Sequence, residues 1–115
     1  MDKRTVKDLL YEQVARIGKA VSSPKRLELL ELLAQGQKPV EDLAGELSID
    51  IKLASAHLKV LREARLVEAR KDGKFVFYRL ASADVASLWV ALREAAQEHL
   101  VELSVVVSKI TATPD

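Results

Sequence analysis

The stretch VEDLAGELSIDIKLASAHLKVLREA, residues 40–64, decides the fold. Its first part follows Pro39 and sets Leu43, Ala44 and Leu47 on one helical face; its last part does the same with Ala54, Leu58 and Leu61. Only Ser48-Ile49 and Asp50 lie between, and Asp50 is suited to cap the second helix with its carboxylate. Two short helices joined by so tight a turn predict a helix-turn-helix unit.

Downstream the period changes from helical to alternating. Leu66–Arg70 and Lys74–Leu80 read as two short strands around Lys71-Asp72-Gly73, with Asp-Gly as the expected hairpin turn. From Ser82 or Ala83 the helical period returns and runs to Ile110 as one long helix. Upstream, Val6, Leu9, Leu10, Val14 and Ile17 predict a helix over about 5–20. Ser22-Ser23-Pro24 opens the next helix, with Ser23 as cap and Pro24 where a missing N–H costs nothing. Gln35-Gly36 closes it.

The expected architecture is mainly α with one β-hairpin, in the order α-α-α-α-β-β-α: a winged helix-turn-helix. It is read as one domain over residues 1–115, with its core at about 5–105 and 111–115 as a frayed tail or the start of a linker.

Composition narrows the function. At 115 residues the core is modest, so association with a second copy would add useful burial. The absence of cysteine excludes disulfides, thiolate metal sites and thiol redox sensing. No apolar run approaches the ~20 residues needed to cross a bilayer, and the N-terminus lacks a signal core. The reading is cytoplasmic, with no membrane partner. The four glycines are isolated, so no phosphate loop exists; Ser55 and His57 at i, i+2 face different ways on a helix, so no nucleophile–base pair forms. No enzymatic activity is expected.

The net charge of +1 hides a polarity along the chain. Residues 50–79 carry eight basic and four acidic side chains, whereas residues 80–115 carry two basic and five acidic ones. A local basic field within a nearly neutral chain suits a polyanion. With Ala54, Leu58 and Leu61 inward, the expected outer side of the fourth helix holds Lys52, Ser55, Ala56, Lys59 and Arg62. Short side chains permit approach to base edges, while the cations neutralise phosphate. Lys71 and Lys74 at the hairpin tip would meet the DNA backbone or minor groove. Lys25 and Arg26 sit in the first turn of the second helix, where cations oppose the dipole and an anionic partner is favoured.

Three segments resemble the ArsR/SmtB-type transcriptional regulators: Ser23–Leu30, Ser55–Ala64, and Leu66-Val67 with the hairpin ending Phe77-Tyr78-Arg79-Leu80. The resemblance extends over about residues 5–105. It implies a homodimer paired through its first and last helices, a repressor on a palindromic double-stranded operator, and release by an inducer, a small molecule or an ion. Half-sites would lie one helical turn apart. It implies DNA contacts at Ile51, Lys52, Leu53, Ser55, Ala56 and His57 and a wing around Lys71–Lys74. The expected dimer interface holds Val6, Leu9, Leu10 and Val14 with Leu88, Trp89, Leu92, His99 and Leu103.

Two departures stand out. Ile51 and Leu53 occupy positions that are usually small and polar in the family. Arg65 replaces a usual glycine after the recognition helix, so it must accept a left-handed conformation or end the helix differently.

The family's sensor sites are not reproduced. Its Cys-x-Cys positions fall on Pro39 and Glu41, and its last-helix ligand positions fall on Asp84, Ala86, Gln97 and Leu100. His99-x-x-Glu102 has ligand-like spacing but is two residues out of register, and zinc wants three or four donors. Neither a metal nor a cofactor is expected, and His99 is read as an interface residue. Trp89 with Leu88 and Leu92 is read as packing, with a small-molecule pocket as the alternative. Two alternatives to the repressor are a winged-helix protein-interaction module without strong DNA binding, and the DNA-binding half of a longer fusion with a sulfur-transfer domain.

Overall fold

A computed structural model describes residues 2–111. The order is α1 (Lys3–Ala20), α2 (Pro24–Ala34), β1 (Lys38–Pro39), α3 (Val40–Leu47), α4 (Ile51–Glu63), β2 (Val67–Asp72), β3 (Phe75–Leu80) and α5 (Ala83–Thr111). This is the winged helix-turn-helix that the sequence predicts.

Local chemistry sets most boundaries. Asp2 caps α1 by accepting from the Thr5 amide at 2.8 Å, which starts the helix two residues before the expected position. Ser23 accepts from the Arg26 amide at 3.3 Å at the start of α2, with Pro24 in its first turn. Asp50 Oδ1 accepts from the Leu53 amide at 2.7 Å, so this carboxylate is committed to the α4 cap. Ser48, with φ 55°, closes α3 in the left-handed region, which lets the chain reverse into α4.

Arg65 takes the first of its two options. Its φ is 64°, and its amide donates to Arg62 O while that of Leu66 donates to Leu61 O, both at 2.9 Å. That is the bond pattern of a Schellman stop. A non-glycine residue there costs about 1 kcal/mol.

The wing departs from expectation in two ways. Asp72 pairs with Phe75, so the two-residue loop is Gly73-Lys74 and not Asp72-Gly73. Only the first loop residue, Gly73 at φ 62°, has positive φ, the II′ pattern that needs glycine there. The sheet also has a third strand, in order β1-β3-β2, since Lys38 and Pro39 pair with Tyr78 and Phe77. A two-residue strand is too short to show a period, and its pairing lies beyond two helices in sequence. At the other end Thr111 belongs to α5, its hydroxyl donating to Val107 O at 3.0 Å; the rest of the expected tail, 112–115, lies outside the described residues.

The core lies among α2, α3, α4 and the root of the wing. Leu29, Leu30, Leu43, Leu58, Leu61 and Val67 are its largest fully buried side chains. No charged or polar residue is buried among the described residues. α1 contributes little more than Ala20 and the partly buried Ile17, and α5 buries only Val85. Val6, Leu9, Leu10 and Val14 stay about half exposed on α1, as do Leu103 and Val106 on α5. Extents of 62 × 46 × 22 Å fit two helices projecting from a small core. None of the described helices is long and apolar enough to cross a membrane.

Candidate nucleic-acid interface

The helix-turn-helix presents α4 to solvent on one side. Ala54, Leu58 and Leu61 are buried, while Ile51, Lys52, Leu53, Ala56, Lys59 and Arg62 are exposed. Ser55 and His57 are half-buried, so Ser55 lies at the edge of the open face and not at its centre. The Asp50 carboxylate already occupies the N-terminus of α4 through the Leu53 amide, so Lys52 is the group in its first turn that is available to an anion. Among the described residues, Lys52, Lys59, Arg62, Lys71 and Lys74 form no ion pair within the chain.

The wing adds cations held by aromatic faces. Lys74 Nζ lies 5.5 Å from the Phe75 ring centre, and the Arg70 guanidinium lies 5.5 Å from that of Phe77. Phe75 and Phe77 meet edge to face at 6.3 Å. Cation–π contact narrows the directions these side chains sample without neutralising them, although Arg70 is also paired with Asp72 at 3.5 Å. Arg70 was not among the expected contacts; it stands directly opposite Phe77 in the ladder, a pairing that the hairpin register fixes. Arg79 is paired with Glu68 across the same ladder at 2.8 Å, so its charge is satisfied within the wing.

Lys25 and Arg26 are tied into the fold. Lys25 Nζ donates to Leu47 O at 3.3 Å, joining α2 to the end of α3. Arg26 Nε donates to Ala20 O at 2.6 Å and Nη2 to Lys19 O at 3.3 Å, which satisfies carbonyls at the C-terminus of α1. Its Nη1 lies 3.4 Å from His57 Nδ1. Arginine only donates, so this contact fits a neutral His57 accepting at Nδ1. Arg26 thus links the end of α1 to the recognition helix.

His57 responds to that setting. Burial, then the charges of Arg26 and Lys25, hold its pKa below the ordinary 6.5. The unfolded chain therefore binds more protons than the folded one as pH falls through 6.5. The resulting stability is complete above that value and declines as pH drops toward the lowered one. Thermal melts from about pH 7.5 to about pH 5.5 should show a fall in Tm that His57→Gln reduces. An unchanged slope in the variant would remove His57 from this role.

Asp84, His99 and Glu102 are all exposed, and no group of three or more potential metal ligands occurs among the described residues. Leu88 and Trp89 are half-buried, and Leu92 is 37% exposed. Trp89 and Leu92 line an open groove of about 590 Å³ between α2 and α5, together with Leu27 and Leu100.

Comparison with known proteins agrees with this geometry. The family described as "Bacterial regulatory protein, arsR family" matches residues 23–69. The chain is 40% identical over 109 residues to the HTH-type transcriptional regulator Rv0324 of Mycobacterium tuberculosis, covering 95% of this chain and 48% of that protein, about half its length. It is 42% identical over 80 residues to the biofilm growth-associated repressor of Agrobacterium fabrum, covering 70% of this chain and 68% of the relative. Among solved structures, the homodimeric winged helix-turn-helix DNA-binding domain of Mb0332 from Mycobacterium bovis superposes with a TM-score of 0.79 at 43% identity, covering 87% of this chain and 91% of that one. With the residue signatures of its second and fourth helices and its wing in the same order, the chain belongs to the arsR family of bacterial regulatory proteins.

Proposed function

We propose that the chain acts as a homodimer that binds a palindromic operator and represses transcription until an inducer releases it. The observation that carries this reading is the joint exposure of Lys52, Lys59 and Arg62 on α4 beside the wing cations Lys71 and Lys74, none of them ion-paired among the described residues. A recognition helix needs such a face to enter the major groove, and a wing needs such a tip to follow the backbone. The half-exposed apolar stripes of α1 and α5 support pairing through those helices. The relatives support it too, since one is named a repressor and one solved domain is described as homodimeric and DNA-binding. Operator occupancy places its work in the cytoplasm.

The wing supplies a specific test. Lys74→Ala should weaken all duplexes similarly and lower the slope of log affinity against log salt by about 0.9. Lys52→Ala should instead change the ranking of half-site sequences, because Lys52 lies on the groove-facing side of α4. Anisotropy titrations over a salt series measure both effects. A selective change in ranking from Lys74→Ala would move base reading to the wing and overturn this division of labour.

A further inference from the structure

The groove-facing side of α4 is not uniformly polar. Leu53 is 45% exposed and Val60 is 38% exposed, with exposed Ala56 between them. Positions i, i+3 and i+7 share a helical face, so these residues form an apolar stripe turned away from buried Ala54, Leu58 and Leu61. Lys52 and Lys59, seven residues apart on one helical face, run along one side of it. No other segment of the chain covers the stripe among the described residues, although Val60 borders a cleft beside Arg16 and Lys19.

An apolar stripe beside a row of cations fits one feature of duplex DNA. In the major groove, guanine shows two acceptors, adenine an acceptor and a donor, and cytosine an amino donor; only thymine adds a methyl group, at C5. A leucine against any of the polar edges would strip water from them and return no hydrogen bond. Against a C5-methyl it buries apolar surface on both partners. Lys59 and the wing cations keep the helix on the phosphates and so bring the stripe to the base edges.

We infer that Leu53 and Ala56 read pyrimidine C5-methyl groups, and that each operator half-site carries thymine opposite Leu53. This rests on the DNA-binding reading above and names its specificity determinant. The chemistry is shared with 5-methylcytosine, which offers the same methyl on a different base.

The test selects duplexes from a random library with the full chain and titrates the preferred one by anisotropy at a single salt concentration. Each thymine is then replaced in turn by deoxyuridine, and each cytosine by 5-methylcytosine. At one or two thymines per half-site, uracil should weaken binding about three- to fivefold, the worth of one buried methyl. Leu53→Ala, an exposed-site substitution checked for folding by circular dichroism, should lose most of the thymine-over-uracil preference at one of those positions, the thymine opposite residue 53, and keep it at any thymine that faces Ala56. The uracil series on the unaltered protein stands whether or not the variant folds.

Equal affinity for thymine and uracil at every position, on a duplex still preferred over random DNA, overturns the methyl inference and leaves DNA binding intact. A gain with 5-methylcytosine and no loss with uracil overturns the thymine assignment and moves the contact to methylated cytosine. Failure to enrich any duplex, even at low salt, overturns the parent reading and makes the stripe a surface for a protein.

Discussion

Replacing Leu10 and Val14 together by glutamate is expected to convert the dimer to a monomer and to lower operator affinity about a hundredfold or more. The two positions are one helical turn apart on α1 and are 57% and 54% exposed in the single chain. In a monomer the glutamates would be solvated, and surface changes of this kind shift stability by about ±0.5 kcal/mol. Between two apolar helices they would bring carboxylates into contact with side chains that offer no hydrogen bond, at a cost of several kcal/mol. The core of α2, α3, α4 and the wing does not include these side chains, so helix content and the urea midpoint of the monomer should stay close to those of the winged domain. The loss in affinity arises because two linked half-site contacts give an avidity of about 10²–10⁴ over one. Sedimentation at micromolar concentration and operator titration check the two halves separately. A variant that stays dimeric with full affinity would place the interface away from this face of α1.

Leu58→Ala is expected to cost about 2–5 kcal/mol, the range for truncating a fully buried leucine. Leu58 is fully buried at the centre of α4, flanked along the helix by Ala54 and Leu61, also fully buried. Small residues such as Ala54 cannot swing in to fill the void, and the other fully buried leucines of the same core, Leu29, Leu30 and Leu43, belong to a close-packed interior with little freedom to collapse into it. A domain of this size has about 5–15 kcal/mol in total, so the variant approaches its limit. Urea melts should show a lowered midpoint at an unchanged m-value. DNA affinity should fall in proportion to the folded fraction, with the ranking of half-sites preserved, because Leu58 faces away from the groove. A changed ranking with normal stability would mean that α4 is held by other contacts.

The contrast between Leu58 and Leu53 shows how the sequence is read. Both are leucines on one helix, five residues apart, and periodicity alone assigns the first to the core and the second outside it. The structure agrees, with Leu58 fully buried and Leu53 45% exposed. Such patterns are legible because they depend on neighbours within one or two turns. Ser23-Pro24 and Asp50 are legible for the same reason, since each cap is closed by an amide three residues away. Ser55 shows the limit of the method. Its position on the wheel suggests the outer face, yet it is half-buried, because how far a neighbouring element overlaps the helix edge is not written in the period.

The order of helices, the wing, the basic middle of the chain and the apolar leading turn of α4 are thus determined by sequence alone, through local periodicity and short-range capping. Tertiary structure decided what depends on residues far apart. Lys25 and Arg26 read locally as cations awaiting an anion. Folding gives them Leu47 O and His57 Nδ1, partners 22 and 31 residues away, together with the carbonyls closing α1. The third strand at Lys38–Pro39 exists only because the wing returns beside it. The hairpin loop moved by one residue because the cross-strand ladder fixes the register, and the residue pair that looked most turn-like did not. Arg65 is held at positive φ by the amide bonds that stop α4, which offset the strain of its side chain. In each case the deciding interaction is long-range, or is a backbone bond whose geometry is set by packing, and neither leaves a periodic mark in the chain.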